Sequence, residues 1–148
     1  MQLNVNTEKS FHHEPIDLKY DDLVTDTQPT ARKYVTPDGT RYPSITTILS
    51  ILSEDAIAKW RARVGEEEAN KVSRVAAGRG TAVHDLLEKY VNNDPDFDKG
   101  VMPHILQSFH DVKEQLDTRL SKVYAQEAPL YSNHLGVAGR VDCVGVWD

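Results

Sequence analysis

Residues Gly78–Tyr90 read GRGTAVHDLLEKY, a glycine-rich turn followed by the start of an amphipathic helix. Apolar residues from Val83 onward recur at helical spacing, which predicts one buried face. His84 lies at the edge of that face, and Glu88 follows one turn later on the same side. A histidine and a carboxylate in this arrangement form half of a metal site. The simpler alternative is a capped helix with a hydrogen-bonded histidine at its boundary.

The composition is that of an ordinary soluble domain. The chain has 148 residues, of which 39% are hydrophobic and 27% charged, and it is long enough to bury a core. It contains no run of about eighteen apolar residues and no secretory signal pattern, so we expect no contact with a membrane. Cys143 is the only cysteine. It excludes an internal disulfide and indicates a reducing, cytoplasmic compartment.

The formal net charge of −6 argues against a basic protein that coats DNA. It does not exclude a nuclease, because a site that holds divalent cations must itself be acidic. Basic residues between Lys59 and Arg79 alternate with glutamates. This pattern fits a solvated helical face and a phosphate-contacting strip equally well.

Local signals divide the chain into an irregular acidic arm, residues 1–32, and a folded part, residues 33–148. The sequence Pro37-Asp38-Gly39 predicts a hairpin turn. Helices are predicted over residues 45–52, 54–64, 66–77, 81–91 and 102–120. Ser44 is a suitable N-cap for the first helix and Gly65 a C-terminal stop for the second. Gly78 and Gly80 are expected to break the third helix from the fourth.

The last part of the chain changes to strand composition. Residues 123–132 and 137–147 predict two antiparallel strands joined by a turn at residues 133–136. The predicted fold class is therefore α/β, of the α+β kind: a helical layer followed by an antiparallel hairpin, with the sheet incomplete in this chain.

Two acidic residues lie inside these predicted strands. Aspartate is depleted in strand interiors, so Asp142 on a mainly apolar face needs a metal, a hydrogen bond or an ion pair with Arg140. Glu127 lies in the neighbouring strand. Pro129 in the same strand indicates a sheet edge, so the simpler alternative for Glu127 is an exposed edge-strand glutamate. Imidazole and carboxylates from His84, Glu127 and Asp142 would suit Mg²⁺ or Mn²⁺ better than zinc.

Four segments carry a resemblance to a known family: residues 42–49, 78–84, 127–132 and 135–142. In this order they resemble the N-terminal part of a RecB-type nuclease of the PD-(D/E)XK superfamily. They are most similar to phage exonucleases related to the mitochondrial genome maintenance exonuclease. The resemblance implies a DNA exonuclease that uses Mg²⁺ or Mn²⁺. It would act in the cytoplasm, which is the host cytoplasm if the protein is phage-encoded.

The resemblance also implies roles for individual residues. His84 and Asp142 would be metal ligands and catalytic residues, with Glu127 as a further catalytic carboxylate and Glu88 in support. Contacts to DNA are expected from Arg79, Ser44, Thr46 and Arg140.

The chain departs from the family pattern in one respect. The family needs a further strand bearing Asp/Glu-x-Lys after Asp142, and the sequence holds none in a suitable strand. The only such sequence before an apolar run, Asp17-Leu18-Lys19, lies in the arm. We therefore expect a complementary chain, or further residues, to supply the catalytic strand, and we expect little activity from this chain alone.

Two other functions fit parts of the sequence. The chain could be a non-catalytic DNA-binding or regulatory remnant of the same fold. The pairs His84-Asp85 and His110-Asp111 also fit an HD-type metal phosphohydrolase. Under that hypothesis Asp85→Ala would abolish metal binding, whereas under the nuclease hypothesis its effect would be mild.

Overall fold

The computed structural model describes residues 9–27 and 32–148. It combines helices with small antiparallel sheets, which confirms the α+β class, while the nuclease core stays a prediction. The described residues form two compact units. Unit 1 comprises those within 1–15, 77–125 and 144–148, and unit 2 those within 16–76 and 126–143. Helix and strand bounds are β1 Val24–Thr27, β2 Arg32–Val35, β3 Arg41–Pro43, α1 Ile45–Ser50, a 3₁₀ turn Ile51–Ser53, α2 Glu54–Val64, α3 Glu66–Val91, α4 Pro103–Arg119, β4 Leu120–Ser132 and β5 Val137–Trp147.

Strands β1, β2 and β3 form an antiparallel sheet in that order. The predicted turn joins β2 to β3, with Gly39 at φ 85° and the Asp38 carboxylate accepting from the Thr40 N–H at 3.0 Å. The hairpin prediction is confirmed. Strand β1 lies within the residues assigned to the irregular arm, where the sequence analysis predicted no strand. It forms because its backbone pairs with β2, from Val24 opposite Val35 onward.

Two helix boundaries are set by the residues that the sequence indicated. The Ser44 hydroxyl caps α1 by accepting the Thr47 N–H at 3.1 Å. Gly65 ends α2 at φ 89°, and its N–H donates to the Arg61 carbonyl at 2.9 Å. Ser53 stands at the N-terminus of α2 without a side-chain capping hydrogen bond.

The predicted break at Gly78 and Gly80 is wrong, because α3 runs without interruption from Glu66 to Val91. A glycine inside a helix costs about 1 kcal/mol relative to alanine. That cost is offset within unit 1 by burial of the residues that follow on the same helix, among them Leu86 and Tyr90.

Unit 1 is built around a cluster of aromatic side chains. The rings of Phe11, Tyr90, Phe97 and Phe109 are buried, and neighbouring centroids lie 5.0–5.5 Å apart. Asn93 fixes the Phe11 backbone with two hydrogen bonds, of 2.6 Å to its N–H and 2.9 Å to its carbonyl. Residues around Phe11, expected to be irregular, are therefore ordered by a contact distant in sequence.

A polar network borders this aromatic cluster. The Tyr90 hydroxyl donates to Asp117 at 2.6 Å, and Lys113 Nζ lies 2.6 Å from the other oxygen of that carboxylate. Burial, followed by the hydrogen bond to Asp117, raises the pKa of Tyr90. The hydrogen bond to Asp117 also raises the pKa of Lys113.

Unit 2 has a smaller core. It consists of Leu23, Tyr34 and Ala138, against which Tyr42 and Tyr131 pack. Strands β4 and β5 pair as the predicted hairpin. An isolated bridge joins Ser44 to Ala138 on β5. The start of α1 is therefore held against this strand. In the described part of the chain, no helix has both the length and the apolar content needed to cross a bilayer.

Replacing Gly78 or Gly80 with alanine is expected to raise the free energy of unfolding by about 0.5–1 kcal/mol each. A Cβ at either position meets no atom within 4 Å, so the added methyl group only favours the helix. Urea unfolding measures the change. Gly145→Ala is the matched control and should destabilise the protein, because its Cβ would overlap the Lys122 carbonyl oxygen. Loss of stability in Gly78→Ala or Gly80→Ala would contradict a continuous helix.

Stability is expected to fall as the pH rises above about 10, the usual pKa of tyrosine and lysine in an unfolded chain. Both Tyr90 and Lys113 have raised pKa values when folded, so their contribution is complete below that pH and is lost above it. Tyr90→Phe should lower the free energy of unfolding by about 1 kcal/mol at neutral pH and make the alkaline decline shallower. Urea unfolding across this pH range tests both effects. An alkaline decline as steep in Tyr90→Phe as in the unmodified sequence would contradict a contribution of this hydroxyl.

Candidate functional site

The residues predicted to act in catalysis or DNA binding fall in both units. Unit 1 contains Arg79, His84 and Glu88. Unit 2 contains Ser44, Thr46, Glu127, Arg140 and Asp142. Each group is considered within its own unit.

In unit 1 the three residues lie along α3. His84 is exposed and Glu88 is half-buried one turn further on, as their spacing predicted. Arg79 extends towards α4, where its guanidinium donates to the Ser108 hydroxyl, with 3.2 Å between Nε and Oγ. Arg79 is thus oriented by a helix-to-helix hydrogen bond, and its phosphate contact stays a prediction.

The two His-Asp pairs also belong to unit 1. Asp85 forms an ion pair with Lys89 one turn later, with 2.8 Å between Oδ2 and Nζ. His110 and Asp111 are both exposed on α4. His104 on the same helix is exposed as well.

In unit 2, Ser44 and Thr46 lie at the start of α1. Ser44 is only 2% exposed, and its hydroxyl serves the helix cap while lying 3.0 Å from the Thr46 hydroxyl. This hydroxyl is occupied by the helix cap, and a phosphate contact by Ser44 stays a prediction. Thr46 is exposed.

Arg140 on β5 is held by three acceptors. Its guanidinium contacts the Asp22 carboxylate, the Glu127 carbonyl at 3.2 Å and the Leu23 carbonyl at 3.5 Å. The hydrogen bond from Arg140 is the main cause that lowers the pKa of Asp22. Arg140 forms an ion pair with Asp22.

Glu127 combines an exposed side chain with an unusual backbone. Its φ of 48° lies in the left-handed region, although the residue is in the middle of β4. A non-glycine residue in that conformation costs on the order of 1 kcal/mol. Its carbonyl is the one that accepts from Arg140. The exposure matches the simpler expectation of a solvated glutamate, and a catalytic role stays a prediction.

Asp142 is exposed on β5, next to the half-buried Cys143. A carboxylate on an apolar face was expected, whereas this side chain reaches solvent. Burial, and secondly the negative charge of Asp142, raise the pKa of the Cys143 thiol.

Asp142 and Arg140 line a cavity of about 440 Å³ that lies wholly within unit 2. Its apolar wall includes Ile45 and two tyrosines, Tyr20 and Tyr131. Ile45 packs directly on β5, since a Cβ at Gly139 would lie 3.2 Å from its Cγ2 atom. The sequence analysis did not single out either tyrosine. Tyr131 falls inside one of the four quoted motifs, whereas nothing local to Tyr20 signals a site.

Among residues 9–27 and 32–148, no group of three or more His, Cys, Asp or Glu side chains is placed to hold a metal ion. Magnesium, however, often takes only one or two protein carboxylates and completes its shell with water and substrate phosphate. An exposed carboxylate such as Asp142 fits that donor chemistry.

Comparisons of this chain with protein-family models, with curated proteins and with solved structures found no match. Its relationship to RecB-type nucleases therefore stays a prediction that rests on the four motifs quoted above.

Asp142→Asn is expected to speed alkylation of Cys143 at mildly alkaline pH, because removal of the adjacent negative charge lowers the thiol pKa. The increase should be modest, since burial is the larger cause and persists. Mass spectrometry of iodoacetamide-treated protein over a pH series gives the rates. Glu127→Gln, which removes a different charge from unit 2, is the control and should alkylate like the unmodified sequence. An identical pH profile in Asp142→Asn would show that the carboxylate does not influence the thiol.

Proposed function

We propose that this chain is the N-terminal part, or a subunit, of a metal-dependent DNA exonuclease. The observation that supports this most is the position of Asp142, an exposed strand carboxylate that lines the same cavity as Arg140. A carboxylate suited to a divalent cation and a guanidinium suited to phosphate are the two charges that phosphodiester hydrolysis requires.

In this proposal Asp142 holds Mg²⁺ or Mn²⁺, and His84 keeps the ligand role that its own motif implies. When bound, such an ion neutralises phosphoryl charge and lowers the pKa of a water ligand. Arg140 binds a phosphate oxygen from a preset position, because its guanidinium is already oriented by Asp22 and two carbonyls. The Asp22 carboxylate partly balances the charge of Arg140. Arg140 therefore orients the DNA strand more than it attracts the strand.

The proposal includes a second component. None of the five described strands carries an Asp/Glu-x-Lys sequence. The resemblance implies such a sequence, whose lysine would position or activate the attacking water. A complementary polypeptide, or further residues of the same protein, would supply it. The partner is therefore expected to be a protein that contributes a strand and a lysine, with DNA as the shared substrate.

A non-catalytic DNA-binding role is the second candidate. The wall of the cavity is mainly apolar and aromatic, and such a lining suits the binding of a ligand more than hydrolysis. This lining favours the non-catalytic role. This candidate and the nuclease differ in one outcome, the appearance of cleavage when the missing strand is provided.

Cleavage of labelled DNA with Mg²⁺ or Mn²⁺ tests the proposal, with the chain alone and with the product of the adjacent downstream reading frame. We expect no cleavage alone and cleavage in the mixture. Asp142→Asn and His84→Ala should each reduce it by about a hundredfold or more, because a metal ion contributes several kcal/mol to such a reaction. The controls are Asp111→Asn and His110→Ala, exposed residues of the same types on α4.

Metal binding has its own readout. Mg²⁺ held at Asp142 should offset its negative charge and speed alkylation of Cys143, and Asp142→Asn should abolish that response. Complex formation without cleavage would favour the non-catalytic role. Loss of metal binding in Asp85→Ala would favour an HD-type phosphohydrolase, since its ion pair with Lys89 is exposed and contributes little to stability.

A further inference from the structure

The cavity of unit 2 has an aromatic wall that the proposed chemistry does not use. Tyr20 and Tyr131 meet edge to face, with centroids 5.1 Å apart and ring planes at 78°. Tyr20 remains 43% exposed although it lines a concave surface. Removal of an aromatic ring from water is favourable, so an exposed ring in a cavity is a surface on which a ligand can bind.

Other residues of the lining are polar. They include Ser132, Arg140 and Asp142, and the first of these is a hydroxyl that both donates and accepts hydrogen bonds. A ligand that fits must therefore present a flat apolar face together with hydrogen-bonding edges. A nucleobase has both, whereas an aliphatic chain has neither a stacking face nor polar edges.

The size of the cavity limits the ligand further. A volume of about 440 Å³ lies in the range of small-molecule sites, which run from about 300 to 1,000 Å³. It has room for a single nucleobase. A base can enter only when it is unpaired, as in a single strand or at a frayed end.

We propose that this cavity is a subsite for one unpaired nucleobase of the DNA substrate, which stacks on the exposed ring of Tyr20 while Tyr131 borders it at a steep angle. The proposal rests on the function proposed above and specifies its substrate: the strand is held by its terminal base while its phosphate lies towards Arg140 and Asp142. Recognition by stacking is tolerant of sequence, because every base has a π face. The subsite is thus expected to accept all four bases.

The position of Tyr20 is set by its neighbours in the chain. Asp22 and the Leu23 carbonyl both accept from Arg140, and Leu23 is buried in the core of unit 2. The segment that carries the ring is therefore tied to β5 on its C-terminal side. A preset ring loses little conformational freedom when a base stacks on it, which favours affinity.

The binding of short fluorescent single-stranded DNA to the whole chain tests the subsite. Fluorescence anisotropy measures this binding, with Ca²⁺ in place of Mg²⁺ so that no cleavage occurs. Tyr20→Leu keeps apolar volume and removes the ring, and it should weaken binding by about tenfold. Tyr20→Phe keeps the ring and should bind like the unmodified sequence. Tyr124→Leu, on β4 outside the cavity, is the matched control and should have no effect.

A double-mutant cycle identifies the contact. DNA that lacks its terminal base, at the 5′ end in one probe and at the 3′ end in another, should bind the unmodified sequence about tenfold more weakly at one of the two ends. Tyr20→Leu should show no such difference, because its partner in the contact is already gone. Additive losses from the variant and the abasic end would overturn the subsite.

The failures are distinguishable. DNA binding that is unaffected by Tyr20→Leu would remove the subsite and leave the proposed function standing. Absence of DNA binding by the unmodified sequence alone would remove the subsite, and absence of binding also in the presence of the complementary chain would remove the proposed function. Urea midpoints of each variant separate loss of the ring from loss of the fold, and Tyr20→Phe provides a second comparison if Tyr20→Leu is unstable.

Discussion

The arrangement of unit 2 depends on a single guanidinium. Arg140 reaches from β5 to the Asp22 carboxylate and to the carbonyls of Leu23 and Glu127. These three acceptors come from two stretches that are more than a hundred residues apart in sequence. Their bonds join the segment that bears Tyr20 to the hairpin, and Tyr20 lines the cavity together with residues of that hairpin. A planar group with five fixed donors can make such a junction, whereas a lysine at this position would present one point charge.

Much of the local structure followed from local signals. Ser44, Gly65 and the Pro37-Asp38-Gly39 turn each act within a few residues of their own position, so a pattern along the chain was enough to predict them. The expected break in α3 failed for a different reason. Glycine weakens a helix by a roughly fixed amount, and whether the helix survives depends on what its other residues bury. That information lies in the tertiary contacts.

The same distinction applies to the site. Asp142 was recognisable because an aspartate inside a strand pattern is unusual, and the structure places it on β5 as expected. Tyr20 had no comparable signal, since it lies in a segment without periodicity. The order of that segment comes from contacts such as the one between Asp22 and Arg140, which no local pattern reports. Burial of Ser44 was likewise invisible, because a capping serine and a phosphate-binding serine look alike in sequence.

At Glu127 the stability of the backbone and the geometry around Arg140 are in conflict. The left-handed backbone of Glu127 in the middle of β4 stores an energy that glycine would release. Glycine at this position would remove that strain and leave the carbonyl in front of Arg140 more mobile. Relief of backbone strain and a fixed Arg140 guanidinium therefore place opposite demands on the residue at position 127.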